Sequence, residues 1–97
     1  MLGLWLLIRV SDEKRQELVQ SLSSFYAGPS EKPWRRFILQ DLYDESLVGW
    51  LGYWRTEEAL GSFLDSATFH ALKGAADTLG RLEDVRRLSL HALRERS

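Results

Sequence analysis

Hydrophobic and polar positions change period several times along this chain. Over residues 2–10 they alternate at period two. Leu2, Leu4, Leu6, Ile8 and Val10 form a uniformly apolar set, and Gly3, Trp5, Leu7 and Arg9 form the other. Alternate side chains of a strand point to opposite faces, so the pattern predicts a first strand whose two faces are both largely covered. From Ser11 the period lengthens. Leu18, Leu22 and Phe25 fall at helical spacing behind Ser11 as N-cap, with Asp12 and Glu13 complementing the helix dipole. Gly28-Pro29 is expected to stop this helix, and residues 28–33 to form the longest loop. Residues 34–43 and 47–54 read as the second and third strands, joined tightly through Asp44-Glu45-Ser46 as an antiparallel hairpin. Gly49 and Gly52 fall inside the third strand, where glycine marks a bulge or the close approach of a ligand or another side chain.

Thr56 caps the next helical stretch, with Glu57 and Glu58 in its first turn and Leu60, Phe63 and Leu64 as its apolar stripe. Ser66 reads as a second cap, so a bend or break is expected near Asp65-Ser66. Phe69, Leu72, Ala76 and Leu79 then continue the stripe as far as Gly80. A fourth strand is expected at residues 85–92, followed by a fraying polar tail from Arg94 to Ser97. The order βαββαβ, closed by right-handed crossovers, predicts an α+β ferredoxin-like sandwich: a four-stranded antiparallel sheet with two helices on one face. One domain is expected to fill the 97 residues. Helices on one face alone would leave Trp5 and Leu7 wet on the other. That predicts a homodimer joined through the open sheet faces in a barrel-like arrangement.

Charge and composition narrow the function classes. Lys and Arg total 13, Asp and Glu 14, for a net charge of -1, so no global attraction to nucleic acid or anionic lipid is expected. With no cysteine, disulfides, thiol catalysis and Fe–S clusters are excluded. The apolar run at residues 1–8 is far short of the ~20 residues that span a bilayer, and it has no basic flank or small-residue cleavage site. No membrane association and a cytoplasmic location are therefore expected. The two histidines stand at unrelated places. His70 shares a helical face with Lys73 and Asp77, and His91 alternates with Arg87 and Ser89 on the dimer side or an edge; no metal site is expected. No phosphate-cradling glycine loop occurs. Asp41, Asp44 and Glu45 read as turn acids, with Arg86 and Arg87 as cross-strand partners. Arg35-Arg36 beside Trp34 would suit a phosphate or an RNA base, but the net charge argues against nucleic acid.

One stretch carries a resemblance. The run from Tyr53-Trp54-Arg55-Thr56-Glu57-Glu58-Ala59-Leu60 to Phe63-Leu64-Asp65-Ser66-Ala67-Thr68-Phe69 resembles the antibiotic biosynthesis monooxygenase domain, as does the passage from Ile8-Arg9-Val10 to Glu17-Leu18. The resemblance implies a dimeric α/β barrel with a pocket between helices and sheet. It also implies a cofactor-free oxygenation, in which a small phenol or quinol supplies the electrons and the protein provides a dry, anion-stabilising site. On that reading Leu6, Trp54, Phe63 and Phe69 contact the substrate. Trp54, Tyr53 and Tyr43 are the candidates for polar contact, the two tyrosines because each ends a strand near a pocket mouth. The haem-degrading branch of the family uses an asparagine, a tryptophan and an iron-ligating histidine where this chain has Leu6, Phe63 and Lys73, which argues against haem chemistry. Much of the family has a histidine where Phe63 stands. Two further readings remain open: a non-catalytic dimer that binds a hydrophobic metabolite, and a structural or regulatory module whose core is closed by Phe63, Phe69 and Trp54.

Overall fold

The computed structural model describes residues 1–25 and 32–91. The elements run β1 (Leu2–Arg9), α1 (Asp12–Ser24), β2 (Arg35–Gln40), β3 (Leu47–Trp54), α2 (Glu57–Leu64), α3 (Ala67–Leu79) and β4 (Arg81–Ser89). The strands form one sheet in the order β2-β3-β1-β4, with every neighbouring pair antiparallel. This is the ferredoxin-like α+β sandwich expected from the hydrophobic pattern, with the second helical stretch divided in two. The expected helix stop at Gly28-Pro29 and the polar tail lie outside the described residues.

The division falls at Ser66. Its hydroxyl donates to the Phe63 carbonyl at 2.6 Å and accepts from the Phe69 N–H at 3.1 Å, so one side chain serves the end of α2 and the start of α3. Thr56 caps α2 in the ordinary way, its hydroxyl accepting from the Ala59 N–H at 3.1 Å. Ser11 does not match that pattern. It occupies the N-cap position of α1 in an extended conformation, but its side chain makes no capping hydrogen bond.

Two strand boundaries differ from expectation. β2 ends at Gln40 rather than Tyr43 because the Asp41 carboxylate accepts from the N–H groups of Tyr43 and Asp44, both at 2.8 Å, and turns the chain. β4 begins at Arg81 rather than Val85, and Ser89 ends it. Its first residues pair with the end of β1, and an extra residue at Glu83 shifts the register between Leu7 and Ile8. Gly80 permits this approach, since a Cβ there would stand 2.5 Å from the Arg9 carbonyl oxygen.

Register assigns the faces. Leu4, Leu6, Ile8 and Val10 point toward the helices and are buried with Val48, Trp50 and Trp54 of β3 and Leu18 and Leu22 of α1. On the other face Trp5 aligns with Leu51 and Phe37, and Leu7 with Gly49 and Leu39. No described helix covers that side, and Phe37 and Leu39 remain 42% and 40% exposed. Arg87 and Ser89 pair with Leu4 and Leu2, which places them on the helix-facing side of the edge strand β4.

The end of the sheet where β1 meets the β2–β3 turn carries a saturated ion network. Arg9 donates to Glu83 at 2.5 Å, to the Ser46 hydroxyl at 2.7 Å and to Asp44 at 3.4 Å, while Arg81 donates to the same Glu83 oxygen at 3.0 Å. The hydrogen bond from Arg9 holds the Glu83 carboxyl below its usual range. Asp44 is held down first by the Ser46 hydroxyl and backbone N–H. The cross-strand pairing expected of Arg86 and the turn acids is not formed; Arg86 instead bonds Asp84 of its own strand at 2.6 Å.

Candidate functional site

The helix-facing side of the sheet contains a cavity of about 240 Å³ where β2 and β3 meet the helices. Its described lining combines the aromatic and aliphatic surfaces of Phe25, Trp34, Trp50, Phe63 and Leu72 with Thr68, Pro33 and the basic residues Lys32, Arg35 and Arg36. Each element contributes for a local reason. Trp50 is at a helix-facing position of β3, paired with Leu6 on one side and Ile38 on the other. Phe63 belongs to the buried stripe of α2 and Leu72 to that of α3. Trp34 is held at the start of β2 by its N–H, which donates to the Tyr53 carbonyl at 2.7 Å.

Trp50 and Phe63 are stacked nearly parallel, 5° apart with centroids at 5.9 Å, and both line the cavity. Trp50 is only 3% exposed, and among the described residues its indole N–H meets no acceptor. An indole N–H without a protein acceptor can donate to a ligand oxygen that reaches it. At the mouth, Trp34 is 49% exposed, and the guanidinium carbons of Arg35 and Arg55 stand 5.3 and 5.0 Å from its ring centroid. Arg36 donates to the Phe25 carbonyl at 2.5 Å and so ties β2 to the end of α1.

No protein-family model matches this sequence, and no curated protein matches it. Solved structures do. A candidate antibiotic biosynthesis monooxygenase from Deinococcus radiodurans superposes with a TM-score of 0.75 at 15% identity, covering 100% of this chain and 97% of that one. A second, from Chloroflexus aurantiacus, gives 0.73 at 16% identity over 97% and 96%. A protein from Pseudomonas aeruginosa gives 0.67 at 24% identity over 96% and 94%. The chain has the fold of these candidate antibiotic biosynthesis monooxygenases. At these identities the likeness is one of backbone architecture, so substrate and chemistry must be argued from this chain's own residues.

Within that fold the residues picked out from sequence separate into three places. Phe63 lines the cavity. Leu6, Trp54 and Phe69 are buried and are not among its described lining. Trp54 and Phe69 pack on Phe63 from behind, with centroids at 4.8 and 5.6 Å. The tyrosines lie elsewhere. Tyr53 is on the open face, edge-on to Phe37 at 5.7 Å, because its odd position in β3 turns it away from the helices. Tyr43 is 98% exposed beyond the end of β2. Lys73 places its ammonium 5.6 Å from the Phe69 ring centroid.

Sequence reasoning missed Trp50, although the signal was present: it stands four residues before Trp54, so period two puts both on one face. Among the described residues no group of three or more His, Asp and Glu side chains is placed to hold a metal ion. No described helix is long and apolar enough to cross a membrane.

Proposed function

We propose that the cavity beside Trp50 is a substrate site, and that the protein oxygenates a small phenolic or quinol-like aromatic there without a cofactor. What supports this reading is the cavity's make-up: a stacked Trp50–Phe63 pair, an indole N–H with no acceptor among the described residues, and basic residues in the lining. Cofactor-free oxygenation asks little else of a protein. The ring, once deprotonated, supplies the electrons. In an anthrone-type phenol the methylene between the two aromatic rings becomes a carbonyl: O2 takes up its two hydrogens, one oxygen atom stays in the product and the other leaves as water. The site must exclude solvent and stabilise the anion, through the Trp50 N–H and the nearby guanidinium charge.

Oxygen uptake with a panel of hydroquinones and anthrone-type phenols, no cofactor added, tests it. Uptake above the no-protein rate is expected, with Trp50→Phe lowering it at least ~10-fold, as loss of one oxyanion donor does. Uptake at the no-protein rate across the panel would count against catalysis. A specific observation favours a second reading, binding without chemistry: among the described lining residues there is no Asp, Glu or His to act as a general base. Under that reading the same aromatics bind with no oxygen consumed.

The open sheet face supports a further part of this reading. Trp5, Leu7, Phe37, Leu39 and Leu51 form adjoining apolar rows on a face that no described helix covers, and monomeric proteins avoid exposing such patches. We propose that two copies pack through it. Phe37→Asp with Leu39→Lys is expected to convert a dimer into a folded monomer in sedimentation equilibrium. A wild-type chain that sediments as a monomer at tens of micromolar would sink the proposal.

A further inference from the structure

A second recess follows the cavity along the seam between α1 and β2. It measures about 230 Å³ and is lined by Leu22 and Ser23 of α1, by Arg36, Phe37 and Ile38 of β2, and by Trp50. The two spaces share Arg36 and Trp50. Apart from those two, they take successive stretches of the same elements. The cavity takes Phe25 at the end of α1 and Pro33, Trp34 and Arg35 ahead of Arg36. The recess takes Leu22 and Ser23 earlier in α1, and Phe37 and Ile38 after Arg36. The junction falls where the Arg36 guanidinium crosses the seam to the Phe25 carbonyl. Register puts Arg36 and Ile38 on the helix-facing side of the sheet, opposite Gly52 and Trp50.

The recess offers a ligand little polarity. The Ser23 hydroxyl already donates to the Val19 carbonyl at 2.8 Å, and Arg36 donates to Phe25. Leu22 belongs to the buried core, and Ile38 packs against it. Deepening the reading of the cavity as an aromatic ligand's site, on which it rests, we propose that the recess holds an alkyl chain carried by that ligand. The ring lies in the cavity beside Trp50 and Phe63, and the chain runs past Arg36 between Leu22 and Ile38. The substrate class is then an alkyl-substituted phenol or quinol. The methylene stem of Arg36 gives the chain an apolar surface to pass at the junction, while the guanidinium keeps its hydrogen bond to Phe25. From residue 36 to residue 38 a strand advances about 6.6 Å, the reach of a chain of about five carbons. A charged tail fits less well, since it would exchange its hydration for leucine, isoleucine and indole surface.

Calorimetry with 4-methylphenol and 4-pentylphenol tests the proposal without depending on turnover, and Ser23→Phe supplies a block. The four extra methylenes are expected to tighten binding to the wild-type protein at least ~10-fold, less than their complete burial would give because the recess is open on one side. Ser23 is exposed on α1 and lines the recess but not the cavity. A phenylalanine there should fill the recess, cut the gain to under ~3-fold and leave 4-methylphenol binding unchanged. Ser23→Leu, a smaller block, should give an intermediate gain. At an exposed helix position both variants should keep the wild-type melting temperature, which shows that they fold, and either one suffices for the comparison. An equal gain in wild type and blocked variants places the chain elsewhere and overturns the proposal. A wild-type gain under ~3-fold with 4-methylphenol still bound also overturns it. Both results leave the cavity as a site. Binding of neither phenol overturns the proposal together with the reading of the cavity.

Discussion

Trp54→Ala is expected to lower stability by about 3–5 kcal/mol, the usual cost of emptying a large aromatic site in a core. Trp54 is 1% exposed and bridges the sheet and α2, with its ring 4.8 Å from Phe63 and 6.3 Å from Trp50. Phe63 in turn touches Phe69 at 5.6 Å, so the chain of rings reaches α3. Removing the indole opens a void between elements that no neighbouring side chain can fill without moving both helices. In a domain of this size about 1 kcal/mol moves the melting temperature by roughly 4–8 °C, so thermal unfolding should shift down by more than about 12 °C. Trp54→Phe should recover much of the loss. A melting temperature within a few degrees of wild type for the alanine variant would show that Trp54 does not hold the layers together.

This prediction is close to the reading from sequence, and the reason is physical. Burial on one face of a strand or helix imposes a period, and the period survives in the letters. That is why Leu4, Leu6, Ile8 and Trp54 were legible as helix-facing, and why the break at Ser66 could be placed by its capping chemistry. Features without a period were hidden. The start of β4 lies in Arg81-Leu82-Glu83-Asp84, three charged residues around one leucine, which pair with β1 where Gly80 lets the chain come close. β2 ends early through a turn made by the Asp41 carboxylate. The candidate site was half legible. Phe63 was visible as an apolar helix position, whereas the gathering of Arg35 and Arg55 about Trp34 joins residues 21 positions apart along the chain. Tyr53 misled because strand parity, rather than closeness to a strand end, decides which face a hydroxyl reaches.

The two glycines of β3 allow the sharpest comparison. Gly52→Ala is expected to cost about 1–3 kcal/mol, the range for overpacking a filled core. Its Cβ would stand 2.7 Å from one Trp50 ring atom, 3.0 Å from another and 2.9 Å from the Trp54 ring; Trp54, 1% exposed and packed on Phe63, is enclosed, and Trp50 can give way only into the cavity that it lines. Because Trp50 also lines the cavity, the same variant should change the cavity's shape. Gly49→Ala brings a closer nominal clash, 2.5 Å to the Trp5 ring, yet should cost less than Gly52→Ala in a monomer. The atom it meets is the far end of a half-buried side chain on the open face, which can swing toward solvent. The entropy gained by restraining the unfolded chain, about 0.4–1 kcal/mol, offsets part of what remains. Chemical denaturation of both variants checks the order, and Gly49→Ala as the more damaging change would contradict it. The comparison also bears on assembly. If two copies pack through the open face, Trp5 has no solvent to swing into, and the cost of Gly49→Ala should grow as protein concentration drives pairing, while that of Gly52→Ala stays level.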